Sequence, residues 1–374
     1  MKKAFGLIRR LFYIAALVAF LVVWQILKKN PETCEKLMRG AVRTYGKASS
    51  FLSGLVPVIS LTEALFVFLV LLFFVIMILV VSAFVKKEYF KGFGRFLIIP
   101  FVALSVIADY AFSCELAYNR EEMPLPYYEN EVSREDYVNV YNYFADDLNA
   151  CISELEFEES GDLKAMPLTD IASEVKKAYE IVTDPYFHPY IGVVKGMLSS
   201  VVYREFQITG VTFNPLGEAN INTLNTNVDI PLTVAHELAH TKGVMREDDA
   251  NQLAFYVCLH SENPYLRYSA YAGYFYQLQS IASASYLTSE ELSQCHKVEG
   301  QYNKTTSYVV SYWKKHQLLT KISDFINDMY IKSSGVEEGT KSYAGGTEYE
   351  FDPTTNKLIP SLYQKLFFDK YYHE

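Results

Sequence analysis

Two histidines four residues apart, with a glutamate directly after the first, stand in the run His236-Glu237-Leu238-Ala239-His240. On a helix, residues i and i+4 project from one face. His236 and His240 can therefore offer two imidazole nitrogens to a single metal ion. Glu237 lies beside that ion without needing to bind it, and is the expected general base: it accepts a proton from a metal-activated water and passes it to a leaving amine. One Zn²⁺ is the expected ion, because zinc lowers the pKa of its water to about 7 and catalytic sites combine three protein ligands with one open position. With 7 histidines in 374 residues, the pattern arises by chance in roughly one such chain per hundred. The competing reading is a surface helix with two solvated histidines, and the acidic segment that follows argues against it.

That segment, Arg246-Glu247-Asp248-Asp249-Ala250-Asn251, has to supply the third ligand. Any of its three acids also suits the first turn of a helix, where the dipole favours negative charge. Glu247 shares a helical face with Ala250, Asn251, Ala254 and Cys258, all small or able to hydrogen-bond, so that face can lie close to the histidine helix. Asp249 shares its face with Gln252, Tyr256 and His260, which reads as polar and exposed; Asp248 is intermediate. Glu247 is thus the preferred ligand, with Asn251 one turn on as the residue that orients a ligand. Arg267, Tyr268 and Tyr271 are candidates to donate to an oxyanion, or else pack a Tyr-rich core. Glu218 and Asn220, in the run Glu218–Asn222, are candidates for a sheet edge that pairs with an extended peptide, or for a purely structural strand. His188, His260, His296, His316 and His373 have no ligand spacing.

The elements that must position these residues are mostly helical. Pro231 suits a first helical turn and Gly243 a C-terminal cap, which brackets the histidine helix. Helical spacing begins at Tyr137 and recurs over about 170–182. Val201-Val202-Tyr203, Ile208–Phe213 and Glu218–Leu224 read as strands. Beyond Pro231 the chain reads helical almost to Ser333, broken near Gly243, Asn263-Pro264 and Leu287-Thr288. The expected fold is α+β: a helical domain over 135–374 with a small sheet just before the motif.

In front of it, residues 1–114 carry 14 Lys/Arg against 5 Asp/Glu, whereas 115–374 carry 20 against 38. The acidic second part excludes nucleic acid as a partner, since phosphate binding needs clustered Lys and Arg. Three apolar stretches fill the first part, about 11–27, 64–85 and 96–114; the second exceeds the roughly 18 apolar residues that suggest a membrane span. No small-residue cleavage site follows the first, which reads as an uncleaved span. Lys2, Lys3, Arg9 and Arg10 before span one, and Lys86, Lys87, Lys91 and Arg95 between spans two and three, place the N-terminus in the cytoplasm and the C-terminal domain outside. The loop after span one is also basic and opposes this. Residues 115–134, with Met123-Pro124-Leu125-Pro126, form a linker. Five cysteines without CxxC spacing indicate neither a disulfide framework nor a thiolate zinc site.

The pairing of HExxH with a later ExxA(D/N) resembles gluzincin-type peptidases. The resemblance implies Glu247 as zinc ligand and Asn251 as its support. More closely, the chain resembles a bacterial membrane family, domain of unknown function 3810. The matching stretches are Ile208-Thr209-Gly210, Gly217–Asn222, Ala235–His240, Gly243, Arg246–Asn251, Arg267-Tyr268-Ser269 and Asn327–Tyr330. That resemblance implies three N-terminal spans and a zincin-like fold, but no substrate. Asp249 stands where Glu is expected, and Glu247 comes only seven positions after His240, fewer than gluzincins usually insert, so a tight turn at Gly243 is required. The expected protein is a membrane-anchored zinc metallopeptidase acting on a peptide or protein substrate at a lipid bilayer. The alternatives are a non-hydrolytic zinc-binding receptor or assembly protein, and a zinc hydrolase of cell-wall or lipid bonds.

Overall fold

The computed structural model describes residues 2–355 and 357–373 and divides into two units. The first is Met1–Glu122 with Phe213–Glu218, the second Met123–Thr212 with Ala219–Glu374. The division after Glu122 falls within the stretch read as a linker, 115–134, and the first unit takes back a short segment from far along the chain.

The first unit is helical: α1 (Lys2–Leu27), α2 (Pro31–Leu37), α3 (Arg43–Gly54), α4 (Leu61–Val85), α5 (Tyr89–Phe96) and α6 (Ile98–Cys114). Gly6–Leu27, Leu61–Val85 and Tyr89–Asn119 are long and apolar enough to cross a membrane. Phe66, Val67 and Phe68 of α4, successive residues about 100° apart around the helix, are each more than half exposed. A helix that is apolar all round and still exposed needs lipid, not water, around it. Helices α1 and α6 pack together through Trp24, whose indole donates to the Ala111 carbonyl at 2.8 Å and whose ring meets Phe112. Asp109, the one acid in the third apolar stretch, accepts from the Tyr45 hydroxyl at 2.6 Å.

The returning segment 213–218 is built into this unit by polar contacts. Tyr45 also donates to the Pro215 carbonyl. Glu218, fully buried, accepts from the Ser53 hydroxyl, from the Leu61 and Thr62 amides at 3.2 and 2.9 Å, and from the Thr62 hydroxyl at 2.8 Å. The two amides belong to the first turn of α4, where helix N–H groups have no intrahelical partner. Glu218 therefore caps a membrane-type helix from far away in sequence.

The second unit contains α7 (Asp136–Glu154), α8 (Leu168–Ala178), β1 (Val193–Gly196), α9 (Ser200–Glu205), β2 (Gly210–Phe213), β3 (Glu218–Ile221), α10 (Ile230–Thr241), α11 (Glu247–Leu259), α12 (Pro264–Gln279), α13 (Ser289–Ser293), α14 (Gly300–Lys315), α15 (Thr320–Ser333), a β4–β5 hairpin (Glu350–Asp352, Lys357–Ile359) and α16 (Leu362–His373). Its core is α10, packed against α8, α11 and α12, with α16 closing over α11 and α12. Val234, Ala235, Leu238 and Ala239 of α10 are fully buried.

Three sequence expectations fail. Val201-Val202-Tyr203 is helical, in α9, not a strand; so short an apolar run cannot be assigned by periodicity. The sheet order is β1-β3-β2, which makes Glu218–Ile221 the buried central strand and not an edge. Gln252, expected on an exposed face of α11, is buried and accepts from the Tyr127 hydroxyl at 2.6 Å.

Candidate metal centre

Helix α10 carries the histidines, and its end sets their environment. Gly243, at φ +89°, takes the left-handed conformation that closes the helix. Its amide reaches the His240 carbonyl at 3.1 Å and the Val244 amide reaches that of Ala239 at 3.2 Å, the two bonds of a Schellman turn. The chain then reverses within a few residues and enters α11 at Glu247. The short spacing between His240 and Glu247 is thus accommodated by the turn at Gly243, and α10 and α11 lie side by side.

The reversal brings three donor atoms together. His236 Nε2 lies 3.1 Å and His240 Nε2 3.7 Å from Glu247 Oε2. Glu247 Oε2 is buried and has no hydrogen-bond partner among the described residues. Three ligand-type atoms within 4.8 Å of one another therefore converge on a common point instead of satisfying each other. Two imidazole nitrogens and one carboxylate oxygen fit a Zn²⁺ ion with an open fourth position.

Both imidazoles are oriented from behind. His240 Nδ1 lies 2.8 Å from the Val244 carbonyl, which can only accept, so Nδ1 carries the proton and Nε2 presents its lone pair. His236 Nδ1 lies 2.8 Å from Asn251 Oδ1. The amide of Asn251 is fixed in that sense because its Nδ2 donates to the Tyr343 carbonyl at 3.1 Å. His236 is therefore in the same tautomer, as ligating histidines generally are.

Glu237 is held separately. Thr212 donates to its Oε2 at 2.7 Å and, from the same hydroxyl, approaches its backbone carbonyl at 2.7 Å. Gly210, on β2, lies flat against it: a Cβ there would stand 2.6 Å from Glu237 Cγ. Edge strand β2 thus presses on the carboxylate. Burial pushes the Glu237 carboxyl above its ordinary range, an effect His236, His240 and Thr212 partly offset. For Glu247, burial acts upward but His240, His236 and Tyr343 together bring it below that range. For His236, burial acts downward and Glu247 reverses the sign.

Tyr343 had no sequence signal. It sits in a 3₁₀ segment, Gly339–Ala344, docked on α15: Asn327 donates to its hydroxyl at 3.3 Å, and Asp328 accepts from the Thr340 amide at 3.1 Å. The residue is 37% exposed, but its hydroxyl end faces Glu247, where desolvation and then the charges of Glu247 and Glu237 hold it well above the usual phenol range. Only the proximity of Asn327–Tyr330 to the motif stretches could have pointed to it.

The other sequence candidates are engaged elsewhere. Arg267 donates to the Ser261 and Glu262 carbonyls, both at 2.9 Å, and pairs with Asp147. Tyr268 is bonded to Thr305 at 2.8 Å and Tyr271 to Asp147 at 2.5 Å, both rings fully buried. Glu218 caps α4, and Asn220 reaches across the sheet to the Val211 carbonyl at 3.3 Å. Asp248 and Asp249 both face Arg246.

Fold and site define a chain with three helices fit to cross a membrane and a mostly helical unit carrying a His–His–Glu constellation. The chain belongs to a protein family of unknown function, DUF3810, whose family model matches residues 37–349. No curated protein and no solved structure matches it.

Proposed function

We propose that this protein is a membrane-anchored zinc-dependent peptidase of gluzincin type, its zincin-like fold centred on α10 and α11. The observation that carries the reading is the convergence of His236 Nε2, His240 Nε2 and the unpartnered Glu247 Oε2, with Glu237 beside them. Zinc bound there would supply a Lewis acid for a peptide carbonyl and a water of lowered pKa. Glu237 is held by Thr212 through Oε2, which leaves Oε1 to accept the water's proton and return it to the leaving amine. Tyr343 offers an O–H to the oxyanion, the part first assigned to Arg267, Tyr268 or Tyr271. An extended substrate pairs along β2, the sheet edge against Glu237.

The test is metal analysis and a peptide-library digest of the full chain in detergent, wild type beside Glu237→Gln. One zinc per chain is expected in both, with turnover falling about 10²–10⁴-fold in the variant, the usual worth of a general base. Zinc lost from Glu237→Gln as completely as from His236→Ala would make Glu237 a ligand and end this mechanism. Bound zinc with no cleavage of any peptide would favour a non-hydrolytic receptor or a hydrolase of other bonds.

The basic residues before span one and between spans two and three support an N-terminus in the cytoplasm and a second unit outside it. The five native cysteines are unpaired, so a cysteine-free background breaks no disulfide. On it, Glu348→Cys should react with an impermeant maleimide on intact cells; reaction only after lysis would reverse the orientation.

A further inference from the structure

Helix α15 has two unlike faces. Its inner side holds the Tyr343 segment through Asn327 and Asp328 and buries Ile331. Its outer side presents Ile322, Phe325, Ile326 and Met329, spaced by three and four residues and each more than half exposed. Leu318, just before the helix, is 81% exposed. The stripe does not end with α15. The Leu319 amide donates to the Glu205 carbonyl at 2.9 Å, and His316 meets the Glu205 side chain at 2.9 Å, so α9 lies alongside. Helix α9 and the turn before it add Leu198, Val201 and Val202, again more than half exposed. Single exposed apolar residues need no explanation, but eight large ones on two adjoining segments do.

We propose that this surface of the second unit seats itself in the headgroup region of an anionic lipid bilayer. Two further observations choose that occupant. The first is charge. The unit is strongly acidic, yet the rim of this patch carries Lys314, Lys315 and Lys321, all exposed. Of the nearby acids, Glu205 is paired with His316 and Asp328 with Lys332, and Asp324 lies on the flank. An apolar helix face bordered by lysines is the pattern of a helix lying in a bilayer interface, its apolar side about 5–10 Å deep. The second is tethering. The chain passes between the units at three places, after Glu122, Thr212 and Glu218, and the first unit carries three helices fit to span a membrane. A surface so tethered meets bilayer at high effective concentration, so a modest interfacial affinity suffices.

The experiment uses the full chain, free of native cysteines, in nanodiscs of phosphatidylcholine with or without phosphatidylglycerol. A nitroxide on Phe325→Cys is compared with one on Glu348→Cys by power saturation with oxygen and with a water-soluble nickel chelate. With anionic lipid, the label at 325 should favour oxygen over nickel several-fold and the label at 348 the reverse. The triple change Lys314→Glu, Lys315→Glu, Lys321→Glu should shift 325 toward nickel and leave 348 unmoved. Equal nickel access at the two positions in anionic nanodiscs would overturn the proposal. So would a label at 325 shielded from both reagents in detergent as well as lipid, which would mean a protein covers the patch, a second copy if the shielding vanished on dilution.

Discussion

Glu218 in the first unit and Glu247 in the second are both carboxylates withdrawn from water, 0% and 7% exposed. Glu218 receives hydrogen bonds from two backbone amides and two hydroxyls. Glu247 keeps an oxygen with no hydrogen-bond partner, aimed between two imidazole nitrogens whose other faces are already bound. A buried charge is tolerated only when it is paired or hydrogen-bonded. Donors around every lone pair make a carboxylate a structural fastener, whereas an orphaned oxygen beside two imidazole nitrogens is the arrangement the proposed ligand role requires. Residue type and burial are the same in the two places, and what differs is how many donors surround the group.

The contrast breaks most sharply at Glu247. Glu247→Ala should lose zinc as fully as His236→Ala and, with the Lewis acid gone, lose turnover by on the order of 10³-fold or more. Asp249→Ala, on the same turn but facing Arg246, should keep its zinc; the opposite result by metal analysis would reassign the ligand. Gly210→Ala comes next. Its methyl would have to displace Glu237, and about an ångström of misplacement costs roughly 100-fold in rate. Zinc content should hold, and an unchanged kcat would show that β2 does not set the base. Asn251→Ala removes the support of His236 and should weaken zinc affinity about 10–100-fold in a chelator competition. Glu218→Gln should leave zinc stoichiometry untouched while lowering the thermal midpoint in detergent, by a stability loss of about 1–3 kcal/mol. Zinc loss there with no change in midpoint would erase the distinction between the two glutamates.

Much of this was legible without coordinates, for a local reason. His236, Glu237 and His240 are ordered by helical pitch alone, Pro231 and Gly243 mark the ends of that helix, and Glu247 follows from the face it shares with Ala250, Ala254 and Cys258. The apolar helices of the first unit follow from composition, because no short-range contact is needed to make twenty apolar residues unfit for water. Only the tertiary structure decided the rest. Thr212 and Gly210 meet Glu237, Tyr343 meets Glu247, and Glu218 leaves its own strand to cap α4, each across a long stretch of chain. Arg267, Tyr268 and Tyr271 had suitable chemistry and a suitable helix, but the partners that engage them, Asp147 on α7 and Thr305 on α14, come from distant elements. Spacing along one helix fixes which side chains share a face; which other segment closes over that face depends on how the whole chain packs, and no local periodicity encodes it.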